Sequence, residues 1–131
     1  MEKQFVTYEI ALKLKELGFE EKCFGLYCGN ILLVACQANK HNQFYEQICL
    51  APIWQQVIDW FREKHKYNIS IHVDEDNSTP SNIKYWYCID SFFEVPNNKI
   101  VREGIEEKDN FNSYEEAREQ AVLKTIELIK K

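Results

Sequence analysis

Residues 51–65 read APIWQQVIDWFREKH, and no other segment says as much about the structure. Wound at about 3.6 residues per turn, its apolar side chains fall on one broad side and its polar ones on the other. The apolar side holds Ile53, Trp54, Val57, Ile58, Trp60 and Phe61. Pro52 suits a first helical turn, because the N–H that proline lacks would have no partner there. The segment predicts an amphipathic helix whose aromatic rings form the centre of a core.

The composition is that of a globular domain. The chain has 131 residues, of which 45% are hydrophobic and 14% aromatic, and this is enough to bury a core. No repeat or low-complexity segment interrupts it, so we expect a single domain over residues 1–131. The net charge is −5: residues 1–66 hold eight basic and eight acidic side chains, and residues 67–131 hold eight and thirteen. An acidic surface repels phosphate, which argues against a nucleic-acid partner.

The apolar segments are too short to span a membrane or to direct secretion, and this bears on the cellular location. No apolar run approaches the roughly 20 residues that cross a bilayer, and the N-terminal residues lack the apolar centre of a signal peptide. The chain contains five cysteines, most of them inside apolar runs, which is typical of reduced buried thiols. We therefore expect a cytoplasmic protein without membrane contact.

Seven elements can be assigned along the chain. The predicted order is a helix at 7–17, strands at 23–28 and 31–36, a helix at 52–65, strands at 69–73 and 83–95, and a helix from Ser113 onward. Residues 99–112 are charged and irregular, which predicts a loop. The order α-β-β-α-β-β-α favours an α+β fold of two layers, with an antiparallel β-sheet of about four strands and three helices.

The ends of these elements carry recognisable signals. Thr7 suits the N-cap of the first helix, and Gly18 supplies the left-handed residue that ends it. Gly29 and Asn30 form the two-residue signal of a tight β-hairpin. Ser113 and Glu116 have the spacing of a capping box, which predicts the start of the last helix.

Metal-binding patterns fail on spacing. Cys23 and Cys28 are five residues apart on one predicted strand, so they point to opposite faces, whereas zinc ligands converge. In the acidic segment from Asp74, an EF-hand loop would need glycine and glutamate where Thr79 and Tyr85 stand. We therefore predict no metal and no cofactor.

Cys49 is the one candidate catalytic residue. It lies just ahead of the helix that follows Pro52, and the positive end of a helix dipole lowers a thiol pKa. A base is also needed, and no local signature links Cys49 to any of the three histidines, His41, His65 and His72. A small enzyme with a Cys49 nucleophile is the alternative to a binding function.

The strand at 83–95 carries the candidate binding residues. Its alternation places Trp86 and Phe92 on the face opposite Tyr85 and Tyr87. An exposed aromatic pair with Lys84 and Asp90 at its rim has the character of a contact patch. The alternative is that a loop such as residues 96–112 covers it. Stacking of single-stranded bases is a weaker alternative, because the acidic half lacks a cationic groove.

Three segments, Phe5–Phe19, Ala51–His65 and Ser113–Arg118, resemble a group of small uncharacterised proteins of phages, prophages and mobile elements of gut bacteria. The resemblance spans the scale of a whole domain and rests on helical motifs, so no catalytic residue can be transferred. It implies an intracellular accessory role in a bacterial host. The leading hypothesis is a non-enzymatic accessory protein that acts by contact with an unknown protein partner or as a homodimer.

Overall fold

The computed structural model describes residues 2–38, 48–97 and 99–131. Within these ranges the chain has three α-helices and six β-strands, which confirms the α+β class. The elements are a short 3₁₀ helix (Glu2–Gln4), α1 (Tyr8–Glu16), β1 (Cys23–Cys28), β2 (Ile31–Ala38), β3 (Ile48–Ala51), α2 (Trp54–His65), β4 (Tyr67–Val73), β5 (Tyr85–Val95), β6 (Lys99–Phe111) and α3 (Tyr114–Lys130). The chain passes from one compact unit to a second within α2, between Val57 and Ile58.

The first sheet has the order β2-β1-β3, and both of its pairings are antiparallel. The predicted hairpin is confirmed, since Cys28 pairs with Ile31 across Gly29, whose φ is 62°. β3 pairs with β1 along the edge opposite β2, and residues 39–47 lie outside the described part of the chain. Tyr27 faces the buried side, where its hydroxyl donates to the Val6 carbonyl oxygen at 2.6 Å.

Helix α1 is bounded by the residues that the sequence predicts. The Thr7 hydroxyl accepts a hydrogen bond from the Ile10 N–H at 3.3 Å. At the other end Gly18 has φ 90°, and the N–H groups of Gly18 and Phe19 donate to the carbonyls of Lys15 and Leu14 at 3.1 and 3.0 Å. This pair of bonds is the Schellman closure, which satisfies carbonyls that a helix end leaves open.

The second sheet has the order β4-β5-β6 and is also antiparallel. β5 is one long strand, as predicted. The expectation that residues 99–112 form an irregular loop is wrong, since Lys99–Phe111 pairs along β5. β6 is exposed over most of its length, so neither face imposes the apolar alternation by which strands are recognised. Strands β3 and β6 raise the count from the expected four to six among the described residues.

The aromatic side of α2 is buried as predicted. Trp54 and Trp60 are each 6% exposed, and Phe61 is fully buried. The helix begins two residues later than Pro52, however. The Pro52 carbonyl accepts a hydrogen bond from the Val6 N–H at 3.0 Å, so Pro52 belongs to the chain segment before the helix.

Helix α3 starts at the predicted cap. The Ser113 hydroxyl accepts a hydrogen bond from the Glu116 N–H at 3.1 Å. The buried side of the helix comprises Ala117, Ala121, Val122, Thr125 and Ile126. At its start the ring of Tyr114 meets Tyr85 of β5 edge-on, with 6.2 Å between centroids. This contact places α3 on the face of the second sheet that also carries the buried Tyr87 and Ile89.

Candidate functional site

An open groove of about 650 Å³ runs beside the second sheet. Three segments line it: residues 72–76 at the end of β4 and just beyond, Trp86 in β5, and residues 107–109 in β6. All three belong to the second compact unit. The groove therefore lies where the three strands of one sheet end side by side.

The groove contains a stacked pair of aromatic rings. His72 and Trp86 are direct cross-strand partners, and their ring centroids are 4.6 Å apart at an interplanar angle of 27°. Side chains that lie directly opposite in an antiparallel pair are close enough to interact in this way. His72 is exposed and Trp86 is half-buried, so the pair is reachable from solvent.

A hydrogen-bonded turn forms the wall that follows β4. The Asp74 carboxylate accepts from the backbone N–H of Asn77 at 3.3 Å and from its side-chain amide at 2.7 Å. The Asp74 N–H donates to the Lys84 carbonyl at 2.8 Å, and the Lys84 N–H donates to the Ser78 hydroxyl at the same distance. These bonds close the connection between β4 and β5, which fixes the position of the wall relative to Trp86.

The groove is strongly acidic. It is lined by five carboxylates, from Asp74, Glu75, Asp76, Glu107 and Asp109. Besides His72, the lining has one basic residue, Lys108, whose ammonium lies 5.9 Å from the centroid of the Phe111 ring. That ring stacks on the buried Tyr87, which follows Trp86 in β5 and therefore faces the opposite side of the sheet. The Lys108 charge is thus held away from the indole.

The predicted binding residues are only partly brought together. Trp86 lies in the groove, and Phe92 lies on the same face of β5 but about 20 Å along the strand, at about 3.3 Å per residue. Asp90 is buried, with its carboxylate 3.9 Å from the Arg102 guanidinium. The Lys84 ammonium contacts the side-chain oxygen of Asn112. Residues 99–111 pair edge-on with β5, so they widen the sheet and do not lie over the Trp86 face.

Sequence reasoning missed most of the groove lining. In the sequence His72 is one of three histidines without a partner signature, and the acidic segment from Asp74 only fails the EF-hand pattern, so neither points to Trp86. The register that sets His72 against Trp86 is a tertiary property with no local signal. Glu107 and Asp109 belong to a segment that the sequence predicts as a loop. Such a loop could cover Trp86, but without the strand register no signal sets these two carboxylates beside the indole.

Cys49 does not have the setting that a nucleophile needs. It lies in β3 as the cross-strand partner of Tyr27 and is fully buried, and α2 begins only at Trp54. Burial raises the pKa of the Cys49 thiol, and the nearby charge of Lys15 opposes this only in part. The expectation of a lowered pKa is therefore wrong, because desolvation outweighs the favourable charge. The candidate base His41 lies outside the described residues.

Neither metal ligation nor a membrane span is seen in the described ranges. No three His, Cys, Asp or Glu side chains there are grouped as ligands of one ion. No helix there combines the length and the apolarity that crossing a bilayer requires. Comparisons with protein-family models, with curated proteins and with solved structures found no match for this chain.

Proposed function

We propose that this chain is a non-catalytic binding protein that holds a partner protein in the groove beside Trp86. The observation that carries the proposal is the Trp86–His72 stack, which offers a solvent-accessible aromatic surface within an open groove. Trp54 and Trp60 are buried, so Trp86 is the tryptophan available for contact. Tryptophan is enriched among the residues that contribute most to protein–protein binding.

The groove is already shaped for a partner. Its floor belongs to paired strands and one wall to the hydrogen-bonded turn of Asp74 and Asn77. A surface held in this way loses little conformational entropy when a partner binds, and less of the interaction free energy is spent on ordering. Catalysis by Cys49 or Cys23 is disfavoured by comparison, since burial raises the pKa of Cys49 and raises that of Cys23 to about 12.

Site-specific photo-crosslinking in cell lysate tests the proposal. Benzoylphenylalanine replaces Glu107, which lines the groove, or Glu63, an exposed glutamate of α2 that serves as the matched control. We expect a discrete adduct with a protein partner from position 107 only, and its loss when Trp86→Ala is added. Circular dichroism checks that the variants are folded. Equal adducts from both positions, or an adduct at 107 that survives Trp86→Ala, would contradict the proposal.

Self-association is a second candidate, favoured by a different surface. On the side of the first sheet that faces away from Tyr27, the apolar side chains of Phe24, Ile31 and Leu33 are 62%, 63% and 47% exposed. That side has no charged residue in the described parts of its strands, so two copies could meet without burying an unpaired charge. Light scattering behind size exclusion measures the oligomeric state directly.

An accessory role in phages or mobile elements, which the sequence resemblance implies, stays part of this proposal. A binding protein with a shaped groove is compatible with such a role. Identification of the crosslinked partner by mass spectrometry would test it.

A further inference from the structure

We infer that the groove receives an arginine side chain of the partner, with its guanidinium stacked on the Trp86–His72 pair between the acidic walls. The inference rests on the proposed function and names the chemistry that the groove recognises. Two independent features carry it: the aromatic stack and the charge of the lining.

The carboxylates of the groove are not neutralised from within the described chain. Within the described part of the chain, the side chains of Glu75, Asp76, Glu107 and Asp109 form no ion pair and no hydrogen bond. The Lys108 ammonium is held over Phe111. Like charges that line a concave surface reinforce one another and focus the potential there, which attracts a cation. The complementary occupant is therefore cationic, and a phosphate-bearing one is repelled.

The aromatic floor selects among cations. Trp is the best aromatic partner for a cation placed over its ring face. A guanidinium is planar and stacks flat on rings, so it can extend the pair of rings that are 4.6 Å apart. It also presents N–H groups in a fork that matches a carboxylate, whereas an ammonium acts as a point charge. These properties favour arginine over lysine.

Two aromatic rings of the chain already hold cations within cation–π distance. The Arg118 guanidinium lies 5.6 Å from the centroid of the Tyr114 ring, and the Lys108 ammonium lies 5.9 Å from that of Phe111. Both pairs lie in the same compact unit as the groove. The Trp86–His72 stack is also an aromatic surface, and carboxylates surround it. Neither of these two cation–π contacts of the described residues involves it.

A titration with two matched peptides tests the inference. The probes are acetyl-triarginine amide and acetyl-tricitrulline amide, since citrulline has the shape of arginine without its charge. The three indole N–H resonances are followed by NMR, and Trp86→Phe assigns one of them. We expect triarginine to shift the Trp86 resonance while those of Trp54 and Trp60 stay in place, and tricitrulline to shift none.

Charge variants sharpen the titration. Glu107→Gln and Asp109→Asn should each weaken triarginine binding several-fold, and Glu63→Gln on α2 should leave it unchanged. Equal shifts from both peptides, or no response of Trp86 to triarginine, would overturn the arginine inference. If the crosslink from position 107 still depended on Trp86, the proposed protein-binding function would survive that result. Loss of this dependence would defeat the proposed function itself, whichever peptide binds.

Discussion

The solvent-exposed face of the first sheet is apolar, since Phe24, Ile31 and Leu33 are exposed on the side away from Tyr27. The second sheet has the same number of strands and the same antiparallel pairing, but its exposed face is polar: His72 and carboxylates surround Trp86. Strand number and pairing therefore do not decide what a sheet can bind. The residues on the exposed face differ instead: apolar side chains in the first sheet, and carboxylates around Trp86 in the second.

The largest expected effect is a difference in thiol reactivity between Cys23, on the buried face of the first sheet, and Cys28, on its exposed face. Burial raises the pKa of Cys23 to about 12 from 9.0, whereas Cys28 is exposed. At pH 8 the raised pKa lowers the thiolate fraction of Cys23 about a thousandfold relative to an ordinary thiol, and only the thiolate reacts. Iodoacetamide labelling, read by peptide mass spectrometry, should modify Cys28 long before Cys23. Similar rates at both sites would show that the Tyr27 side of the sheet is open.

Removal of an aromatic ring should lower the free energy of unfolding far more in the second sheet than in the first. Tyr87 is 2% exposed in the second sheet and Phe24 is 62% exposed in the first. We expect Tyr87→Ala to lower the free energy of unfolding by about 3–5 kcal/mol, as for other buried aromatic residues. Phe24→Ala should change it by less than about 0.5 kcal/mol. Urea denaturation measures both, and a large loss for Phe24→Ala would mean that its ring is covered in solution.

Two glycines, one in each sheet, differ in how closely neighbouring atoms approach them. A Cβ on Gly25 would lie 2.6 Å from the Phe5 ring and 2.9 Å from the Ala51 carbonyl oxygen, whereas one on Gly104 would meet only the Asp90 carboxylate at 3.8 Å. We expect Gly25→Ala to destabilise the protein by about 1–3 kcal/mol, because a backbone oxygen cannot move aside. Gly104→Ala should be neutral or stabilising by up to about 1 kcal/mol. Thermal denaturation compares the two, and equal effects would contradict the contrast.

The smallest expected change in stability comes from charging the apolar face. Leu33→Lys should change the free energy of unfolding by less than about 0.5 kcal/mol, since Leu33 is 47% exposed. It should nevertheless lower binding of the apolar dye ANS and any self-association seen by light scattering. Glu107→Lys in the second sheet is the control and should change neither. An unchanged oligomer in Leu33→Lys would remove the first sheet from the self-association interface.

Local signals predicted the parts of the fold that depend on neighbours in sequence. The caps at Thr7 and Ser113 and the hairpin at Gly29 need only a few adjacent residues, so they could be found without the structure. The buried side of α2 was also predictable, because one helix face carries the whole apolar pattern.

What depends on pairing between distant segments could not be found in this way. β6 has solvent on both faces, so its sequence lacks a period, and only its partner β5 makes it a strand. The same applies to the site. Trp86 was found from alternation alone, but its contact with His72 depends on the register across the connection of residues 74–84. The separation of Phe92 from Trp86, by contrast, was within reach of the sequence, because six residues of one extended strand span about 20 Å.

The strand orders also bear on how the protein behaves at high concentration. β2 is the last strand on one side of the first sheet and has no charged residue, whereas β6, the last strand of the second, has seven. Charges on a terminal strand discourage intermolecular β-addition, and their lack invites it. β3 and β4, the other two terminal strands, also lack charged residues, and β2, with eight residues, is the longest of the three. Fibril growth under destabilising conditions should therefore begin at β2 and not at β6, and a single lysine placed in β2 would act as a gatekeeper.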